Sequence, residues 1–280
     1  MKIFYLHILW GVLGCLVLTA CSSSDPLPDS RKHFQQGEYI YRSHDEISVG
    51  SIPLEKHLRE AYPWEKNQVG PHLSITKEFF RCKGTSLNPA RAAVNKGENL
   101  RYYDCGGSEK HSLPLRNQKE FIYPILIELL NYIQLKTEKR VVITSGHRCP
   151  EHNIYVDPSS GNASSKHLIG AEVSFYVQGL EFKPEQVIQW IQNYYRDVSF
   201  YAGQKDYLEF KRYEKDDVNV STQPWCNKEI FVKLFKVSEG RNFDNRHPYP
   251  YISVQVRYDK ELNEKVVYSW DKAYHNYLRK

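Results

Sequence analysis

The sequence has little methionine, no internal repeat and no long basic run, and each absence narrows the class of protein. Only the initiator among its 280 residues is methionine, and 38 lysines and arginines stand against 33 aspartates and glutamates. No lysine and arginine run is long enough to indicate nucleic acid as a partner. A hydrophobic content of 41% excludes a disordered, collagen-like or multi-span membrane protein. The composition predicts one sizeable folded core, with or without an appended subdomain.

The N-terminus has the pattern of a targeting segment. Lys2 precedes a mostly apolar run from Ile3 to Leu18, which ends at Leu18-Thr19-Ala20-Cys21 before a serine-rich stretch. This ending resembles the bacterial lipobox. The resemblance implies that residues 1–20 are a signal peptide, that Cys21 carries lipid such as palmitate, and that this lipid holds the protein on a membrane. Ser22 implies sorting to the outer membrane, so we expect a lipoprotein facing the periplasm. The alternatives are an uncleaved anchor or a chance cysteine.

The cysteines that remain after lipidation are even in number, which is typical of disulfides in an exported protein. They are Cys82, Cys105, Cys149 and Cys226. We predict the pairs Cys82–Cys105 and Cys149–Cys226, because the first two cysteines bracket one glycine- and asparagine-rich stretch. The last two stand beside elements of the main domain. A zinc cluster is the alternative, but the sequence contains no CxxC motif.

Changes in composition divide the rest of the chain. Residues 21–45 are polar and contain Pro26 and Pro28, which predicts a tether. Residues 46–115 are broken by prolines and by the Gly106-Gly107 pair, which predicts a loop-rich N-terminal subdomain. Regular periodicity begins only afterwards, so residues 116–280 form the predicted main domain.

The main domain combines two helical patterns with several strand patterns. Apolar residues at helical spacing, with a proline in the first turn, predict helices at 120–136 and 184–196. Strands are predicted at 139–146, 171–177, 230–237, 251–258 and 265–270, and a long polar loop at 147–166. These elements do not alternate in βαβ fashion. The predicted fold class is therefore α+β with a largely antiparallel sheet.

Two polar segments carry the strongest indication of chemistry. The first is Ser145-Gly-His-Arg-Cys-Pro-Glu-His-Asn153, and the second, Ser165-Lys-His-Leu-Ile-Gly170, leads into a strand. Together they resemble the zinc D-Ala-D-Ala carboxypeptidase family, which shares its fold with the Hedgehog signalling domain. The resemblance covers residues 139–259. It implies a Hedgehog/DD-peptidase-like domain, a zinc ion and cell-wall peptide as substrate.

Only some of the positions that match the family's site carry the residue type that the family has there. The resemblance gives Arg148 the role of engaging a substrate carboxylate and gives His167 the role of first zinc ligand. Ser174 stands where the family has an aspartate ligand, and Ser253 stands at the histidine ligand of a late strand. Gln255 occupies the position of the neighbouring acid. The chain thus lacks two of the three zinc ligands that the resemblance implies.

These replacements bear directly on catalysis. Hydrolytic zinc sites use three protein ligands and an open water position, whereas a serine hydroxyl is a poor ligand and glutamine cannot accept a proton. The prediction is either no cofactor or Zn²⁺ at a rebuilt site. Glu172 shares a strand face with Ser174 and could approach such a site, and nitrogen could come from His247, His147 or His152.

Simpler interpretations stand beside these. His167 could brace its loop by hydrogen bonding, Glu172 could pair with an arginine, and loop histidines are usually solvated. Arg148 could bind a substrate carboxylate bidentately, or it could hold the 147–166 loop to a carboxylate of its own fold.

Three functions follow as hypotheses. The first is a catalytically degenerate lipoprotein, a pseudoenzyme that binds cell-wall peptide or an envelope protein in the old cleft. The second is a working zinc-dependent peptidoglycan carboxypeptidase or endopeptidase with a rearranged metal site. The third is a structural, disulfide-bonded envelope protein whose partner surface lies in residues 46–115.

Overall fold

The computed structural model describes residues 67–92, 101–158, 164–215 and 217–279. The predicted signal peptide, Cys21, the tether and the first part of the loop-rich segment lie outside these residues. Among the described residues, no helix is both long enough and apolar enough to cross a membrane.

The described chain contains five α-helices and four short 3-10 helices. The α-helices are α1 (Pro124–Thr137), α2 (Pro150–Val156), α3 (Pro184–Asp197), α4 (Lys205–Leu208) and α5 (Trp270–Tyr274). The 3-10 helices are Lys77–Phe80, Lys166–Ile169, Ser199–Tyr201 and Phe243–Asn245.

One six-stranded sheet dominates the fold, in the order β7-β8-β12-β11-β10-β9. Its strands are β7 (Val141–Ser145), β8 (Glu172–Val177), β9 (Lys211–Arg212), β10 (Trp225–Cys226), β11 (Ile230–Phe235) and β12 (Tyr251–Val256), and all neighbours are antiparallel. Eight two-residue strands form four ribbons: β1 (Gln68–Val69) with β2 (His72–Leu73), β3 (Arg91–Ala92) with β4 (Arg101–Tyr102), β5 (Leu115–Arg116) with β6 (Lys119–Glu120), and β13 (Tyr258–Asp259) with β14 (Glu264–Lys265). The predicted α+β class with a largely antiparallel sheet is confirmed.

Helices α1 and α3 form where the sequence predicts them. Each begins with proline at its first position, where the missing N–H costs no hydrogen bond, and α1 ends at Glu138 with a left-handed φ of 53°. Leu126, Leu129 and Ile133 of α1 recur at helical spacing and are fully buried. The two helices pack on each other, α1 also contacts β7 and β12, and α3 contacts β8. This packing forms the main hydrophobic core.

The pleat of the central strands gives the sheet two different faces. Val173 and Phe175 of β8 and Val254 of β12 belong to the main hydrophobic core. Their neighbours Ser174 and Ser253 point the opposite way, because successive side chains on a strand alternate between faces. The face away from α1 and α3 therefore carries a row of polar side chains. This row includes Glu172, Gln255 and Lys233.

The structure corrects two of the predicted elements. Residues 147–166 are not a continuous loop: Pro150 begins α2, and Cys149 caps it by accepting a hydrogen bond from the His152 N–H at 3.4 Å. Of the strand predicted at residues 265–270, only Lys265 belongs to a strand, β14, and Ser269 instead caps α5 by accepting from the Lys272 N–H at 3.2 Å. Both caps are short local signals that a search for apolar periodicity does not detect.

Residues 67–92 and 101–115 pack into the same core as the residues that follow them. These described residues form only short strands and one 3-10 helix, yet Ile75, Phe80 and Leu113 are buried in the main cluster. The C-terminal segment runs beside them, where the Ser112 N–H donates to the Leu278 carbonyl at 2.8 Å. These contacts bring residues from distant parts of the chain next to the polar segments at 145–153.

Candidate functional site

A cleft of about 510 Å³ opens on the polar face of the central sheet. Its lining includes Arg91, Arg148, Lys166, His167, Glu172, Ser174, Lys233, Arg241, Ser253 and Gln255. Most of the residues matched to the family's site therefore meet in one place. Antiparallel pairing brings this about, because Ser253 lies opposite Ser174 and Gln255 lies opposite Glu172 in the register of β8 and β12.

The 3-10 helix Lys166–Ile169 places His167 at the floor of the cleft. The Ser165 hydroxyl caps the helix by accepting from the His167 N–H at 3.3 Å. The helix ends at Gly170, whose φ of 67° is a left-handed conformation that favours glycine. Ser165 and Gly170 therefore have a structural role in the motif, because they set the path of the backbone before and after His167.

The His167 ring is buried and held from both sides. Its Nδ1 lies 2.6 Å from the Gly146 carbonyl, so Nδ1 carries the proton and donates it. Its Nε2 lies 3.4 Å from the Ser174 hydroxyl and 3.7 Å from a carboxylate oxygen of Glu172. Burial lowers the pKa of His167 to about 4, so the ring is neutral at pH 7.

Glu172 reaches the site, as the shared strand face predicts, and is fixed there by hydrogen bonding. It accepts a hydrogen bond from the Ser253 hydroxyl at 2.6 Å, and the Lys233 ammonium lies 4.0 Å away. Burial opposes the ionised form. The His167 ring, the Lys233 charge and the Ser253 hydroxyl nevertheless hold the pKa of Glu172 down to about 2. Glu172 is therefore an ionised, already partnered carboxylate.

The zinc ion of the resembled family does not fit this donor set. His167 and Glu172 are two ligand atoms of suitable type, whereas Ser174 and Ser253 supply hydroxyls that are already engaged with them. Within the described residues, neither of the two groups of three or more metal-ligating side chains includes His167 or Glu172. A positive charge at Lys233 further opposes a cation at this point.

His247 does not join His167 and Glu172 in such a group. Its ring packs among the rings of Tyr176, Tyr249 and Tyr251 at centroid distances of 5.0, 6.0 and 5.8 Å. Burial lowers its pKa. The speculative rebuilt site of His167, Glu172 and His247 therefore lacks its third ligand in the described part of the chain.

The other two candidate nitrogens also have different surroundings. His147 is fully buried beside His111, with ring centroids 6.0 Å apart, and burial lowers its pKa to about 3. His152 lies between two carboxylates, 2.6 Å from Asp104 and 3.0 Å from Asp244. Although burial opposes the charged ring, these two carboxylates raise the pKa of His152 to about 9.

Arg148 belongs to a buried ion network that the sequence did not predict. Its Nε donates to Asp244 at 2.9 Å and to the Ser145 hydroxyl at 2.8 Å, and Ser145 donates in turn to Asp244 at 2.7 Å. Asp244 also contacts His152, which contacts Asp104. No local motif marks either aspartate as part of the site, and Asp244 lies 96 residues from Arg148 in the chain.

Both interpretations of Arg148 describe part of its environment. Its Nε is bound to a carboxylate of its own fold, as the simpler one states. Yet Arg148 lines the cleft, and the described part of the chain provides no hydrogen-bond acceptor for its two Nη nitrogens. The side chain is thus held at its Nε, only 3% of it is exposed, and its Nη nitrogens have no acceptor among the described residues.

The cysteines are distributed differently from the predicted pairs. No two of the four in the described residues lie at disulfide bonding distance. Cys149 lies with Cys82 and Cys105 in one buried cluster, whereas Cys226 lies outside it on β10. The predicted pair Cys149–Cys226 therefore finds no support in this arrangement, and Cys82 and Cys105 are neighbours, with their sulfurs 3.8 Å apart.

Comparisons with known proteins give no further guide. No protein-family model matches the chain, and neither the curated proteins nor the solved structures contain a match. The geometry of the cleft and the residues of the two polar segments are the basis for a functional proposal.

Proposed function

We propose that this domain is a catalytically degenerate relative of the zinc D-Ala-D-Ala carboxypeptidases that binds a carboxylate-bearing cell-wall peptide without hydrolysing it. The observation that carries the proposal is the hydrogen-bonded set of His167, Glu172, Ser174 and Ser253 at the floor of a cationic cleft. The Hedgehog/DD-peptidase type of fold is part of the proposal. Its support is the pairing of β8 with β12, which brings the matched positions of both strands together.

The charge of the cleft favours an anionic ligand. Five arginines and lysines line it, against the carboxylates of Asp157 and Glu172. Burial lowers the pKa of Lys166 to about 8, which still leaves most of this side chain protonated at neutral pH. The positive charge of the cleft strengthens the binding of a peptide that ends in a carboxylate. Charges of one sign inside a partly enclosed cleft raise the local concentration of ligands of the opposite sign.

Arg148 supplies a specific contact for that carboxylate. Asp244 and Ser145 fix its Nε, so the guanidinium plane is oriented before a ligand arrives. Its Nη nitrogens, which have no acceptor among the described residues, can donate to a ligand oxygen, and charge-assisted hydrogen bonds of this kind are strong. An arginine that is held in place also loses little side-chain entropy on binding.

The same residues argue against hydrolysis. A general base works best when its pKa lies near the working pH, whereas that of Glu172 is about 2 and that of His167 about 4. The Ser253 hydroxyl already occupies one oxygen of Glu172. No residue at the floor of the cleft within the described chain combines a free lone pair with a pKa suited to the activation of water.

The cellular setting is also part of the proposal. A lipid on Cys21 would hold the chain at the outer membrane, facing the periplasm, where peptidoglycan stem peptides are available. An envelope protein with an exposed C-terminal carboxylate is the second class of partner that the same cleft would accept.

The test is a binding measurement with a stem pentapeptide that ends in D-Ala-D-Ala. Calorimetry with the full-length chain compares the free-acid peptide with the same peptide amidated at its C-terminus. We expect the acid to bind and the amide to bind at least about tenfold more weakly, since a hydrogen bond to a charged group is worth about 1.5–3 kcal/mol. Lys233→Gln should weaken binding of the acid, whereas Lys119→Gln, an exposed lysine outside the cleft lining, should not.

Mass spectrometry of the same mixtures tests the second half of the proposal. The peptide should remain intact after prolonged incubation with added Zn²⁺. Equal affinity for acid and amide would contradict carboxylate recognition. Release of D-alanine that His167→Ala abolishes would contradict degeneracy and establish the rearranged peptidase instead.

A further inference from the structure

Four potential metal ligands converge away from the floor of the cleft. The sulfurs of Cys82, Cys105 and Cys149 and a ring nitrogen of His111 all lie within 4.8 Å of one another. All four side chains are buried, with residue exposures of 5%, 8%, 0% and 4%. Cys82, Cys105 and His111 come from the segment before β5, whereas Cys149 is the cap of α2. Tertiary packing alone brings them together.

The spacing of the sulfurs matches metal coordination better than a disulfide. The Cys82 and Cys105 sulfurs are 3.8 Å apart. A disulfide would require about 2.05 Å. Two thiolates bound to one tetrahedral Zn²⁺ at about 2.3 Å are separated by an edge of about 3.8 Å. The observed separation is therefore too long for a disulfide and fits two ligands that share one ion.

His111 is oriented as a ligand would be. Its Nδ1 lies 3.2 Å from the Ser112 carbonyl, which fixes the proton on Nδ1. Its Nε2 is buried and has no hydrogen-bond partner in the described chain. Metal-bound histidines typically donate their other ring N–H to a carbonyl or carboxylate, and this leaves a lone pair for the ion. A buried nitrogen without a partner is otherwise costly.

The surroundings pack closely against the cluster. A Cβ on Gly84 would lie 2.2 Å from the Cys105 sulfur, so a side chain there would displace it. The Tyr277 ring covers the cluster from the C-terminal segment, 6.0 Å from the His111 ring. Because the site is covered and already has four ligands, it has the features of a structural site rather than a catalytic one.

We propose that Cys82, Cys105, Cys149 and His111 bind one Zn²⁺ in a closed tetrahedral site. The three thiols lose their protons on binding, so one Zn²⁺ displaces three protons, and His111 binds as the neutral ring. The ion joins the segment that precedes β5 to the start of α2. Since Cys149 follows Arg148 directly, the same ion also holds the loop that orients Arg148.

This site is separate from the degenerate position at His167 and does not depend on the proposed peptide binding. It replaces both predicted disulfides, because Cys82, Cys105 and Cys149 cannot be zinc thiolates and disulfide sulfurs at once. Cys226 is left outside, which makes it a matched control among the four cysteines.

Zinc analysis of the full-length chain, purified without chelator or reductant, tests the site. We expect one zinc per chain in the unmodified protein, in Cys226→Ser and in His167→Ala. The zinc should be lost in Cys82→Ser, Cys105→Ser and Cys149→Ser, and weakened in His111→Gln. Zinc lost in His167→Ala but kept in the cysteine variants would overturn the proposal.

Two measurements on the unmodified protein cover the case in which the cysteine variants fail to fold. X-ray absorption at the zinc edge should show three sulfurs at about 2.3 Å and one nitrogen at about 2.0 Å. Alkylation in denaturant without reductant should modify Cys82, Cys105 and Cys149 as free thiols. A zinc shell of nitrogen and oxygen alone, or a disulfide that includes any of the three cysteines, would refute the site.

Discussion

The buried carboxylate of Asp244 holds together the network that orients Arg148. It accepts hydrogen bonds from Arg148, Ser145 and His152, and only 4% of its side chain is exposed. Asp244→Ala removes the acceptor of all three donors and leaves two cationic side chains buried with the single carboxylate of Asp104. Because breaking a buried ion pair on one side costs about 3–5 kcal/mol, we expect a loss of that size in the free energy of unfolding.

Asp244→Asn removes the charge of the side chain and keeps its size and shape. The amide oxygen still accepts from Arg148 and Ser145, but the amide NH2 takes the place of the oxygen that accepts from His152, so one charge-assisted hydrogen bond worth about 1.5–3 kcal/mol is lost. We therefore expect a loss of about 1–3 kcal/mol, smaller than for alanine. Urea unfolding of the full-length chain, followed by tryptophan fluorescence, measures both. Asp217→Ala, at an exposed aspartate, is the control and should change stability by less than about 0.5 kcal/mol.

The pH dependence provides a second check on the charge. Burial opposes ionisation of Asp244, but Arg148 and His152 hold its pKa well below the ordinary value of 3.8. A carboxyl whose pKa is lowered by folding stabilises the protein above its unfolded-state pKa and loses that contribution as the pH falls. The difference between the wild type and Asp244→Asn should thus be complete between about pH 5 and pH 6.5, shrink below about pH 4, and shrink again as the pH rises towards about 9, where His152 loses its proton. An alanine variant as stable as the Asp217 control would refute the reasoning.

Two further predictions test the proposed degenerate site and the core. Ser174→Asp combined with Ser253→His introduces beside His167 the ligand types of the proposed family, so metal analysis should show one additional zinc per chain; no gain would contradict the proposed match of these positions to the family. Leu129→Ala should lower the free energy of unfolding by about 2–5 kcal/mol, because Leu129 is fully buried in the core. Leu135→Ala, on the same helix but 55% exposed, should cost much less in the same urea titration.

The regular elements of the main domain could be predicted from the local periodicity of the sequence. Apolar residues recur at helical spacing through α1 and alternate along β8 and β12, so burial alone specifies these elements. Short elements that depend on one capping hydrogen bond could not be predicted from periodicity. The cap at Cys149 begins a helix where the sequence predicted a loop, and the cap at Ser269 ends a predicted strand.

The candidate site was predictable only in part. The sequence identified His167 and Arg148, and strand periodicity correctly placed Glu172 on the face of Ser174. It offered no signal for Asp244, because this aspartate meets Arg148 across 96 residues of chain. Such partners depend on how the loops fold back over the sheet, which local spacing does not encode.

The cysteines show most clearly what the sequence determines and what the tertiary structure determines. The sequence by itself determined their number, the lack of a CxxC motif, and the motif that fixes the backbone around His167. Only the tertiary structure decided that Cys149 meets Cys82 and Cys105 at His111 and that Cys226 lies elsewhere. The physical reason is that periodicity reports which face of an element is buried. The packing of distant segments on a common core determines which buried side chains become neighbours.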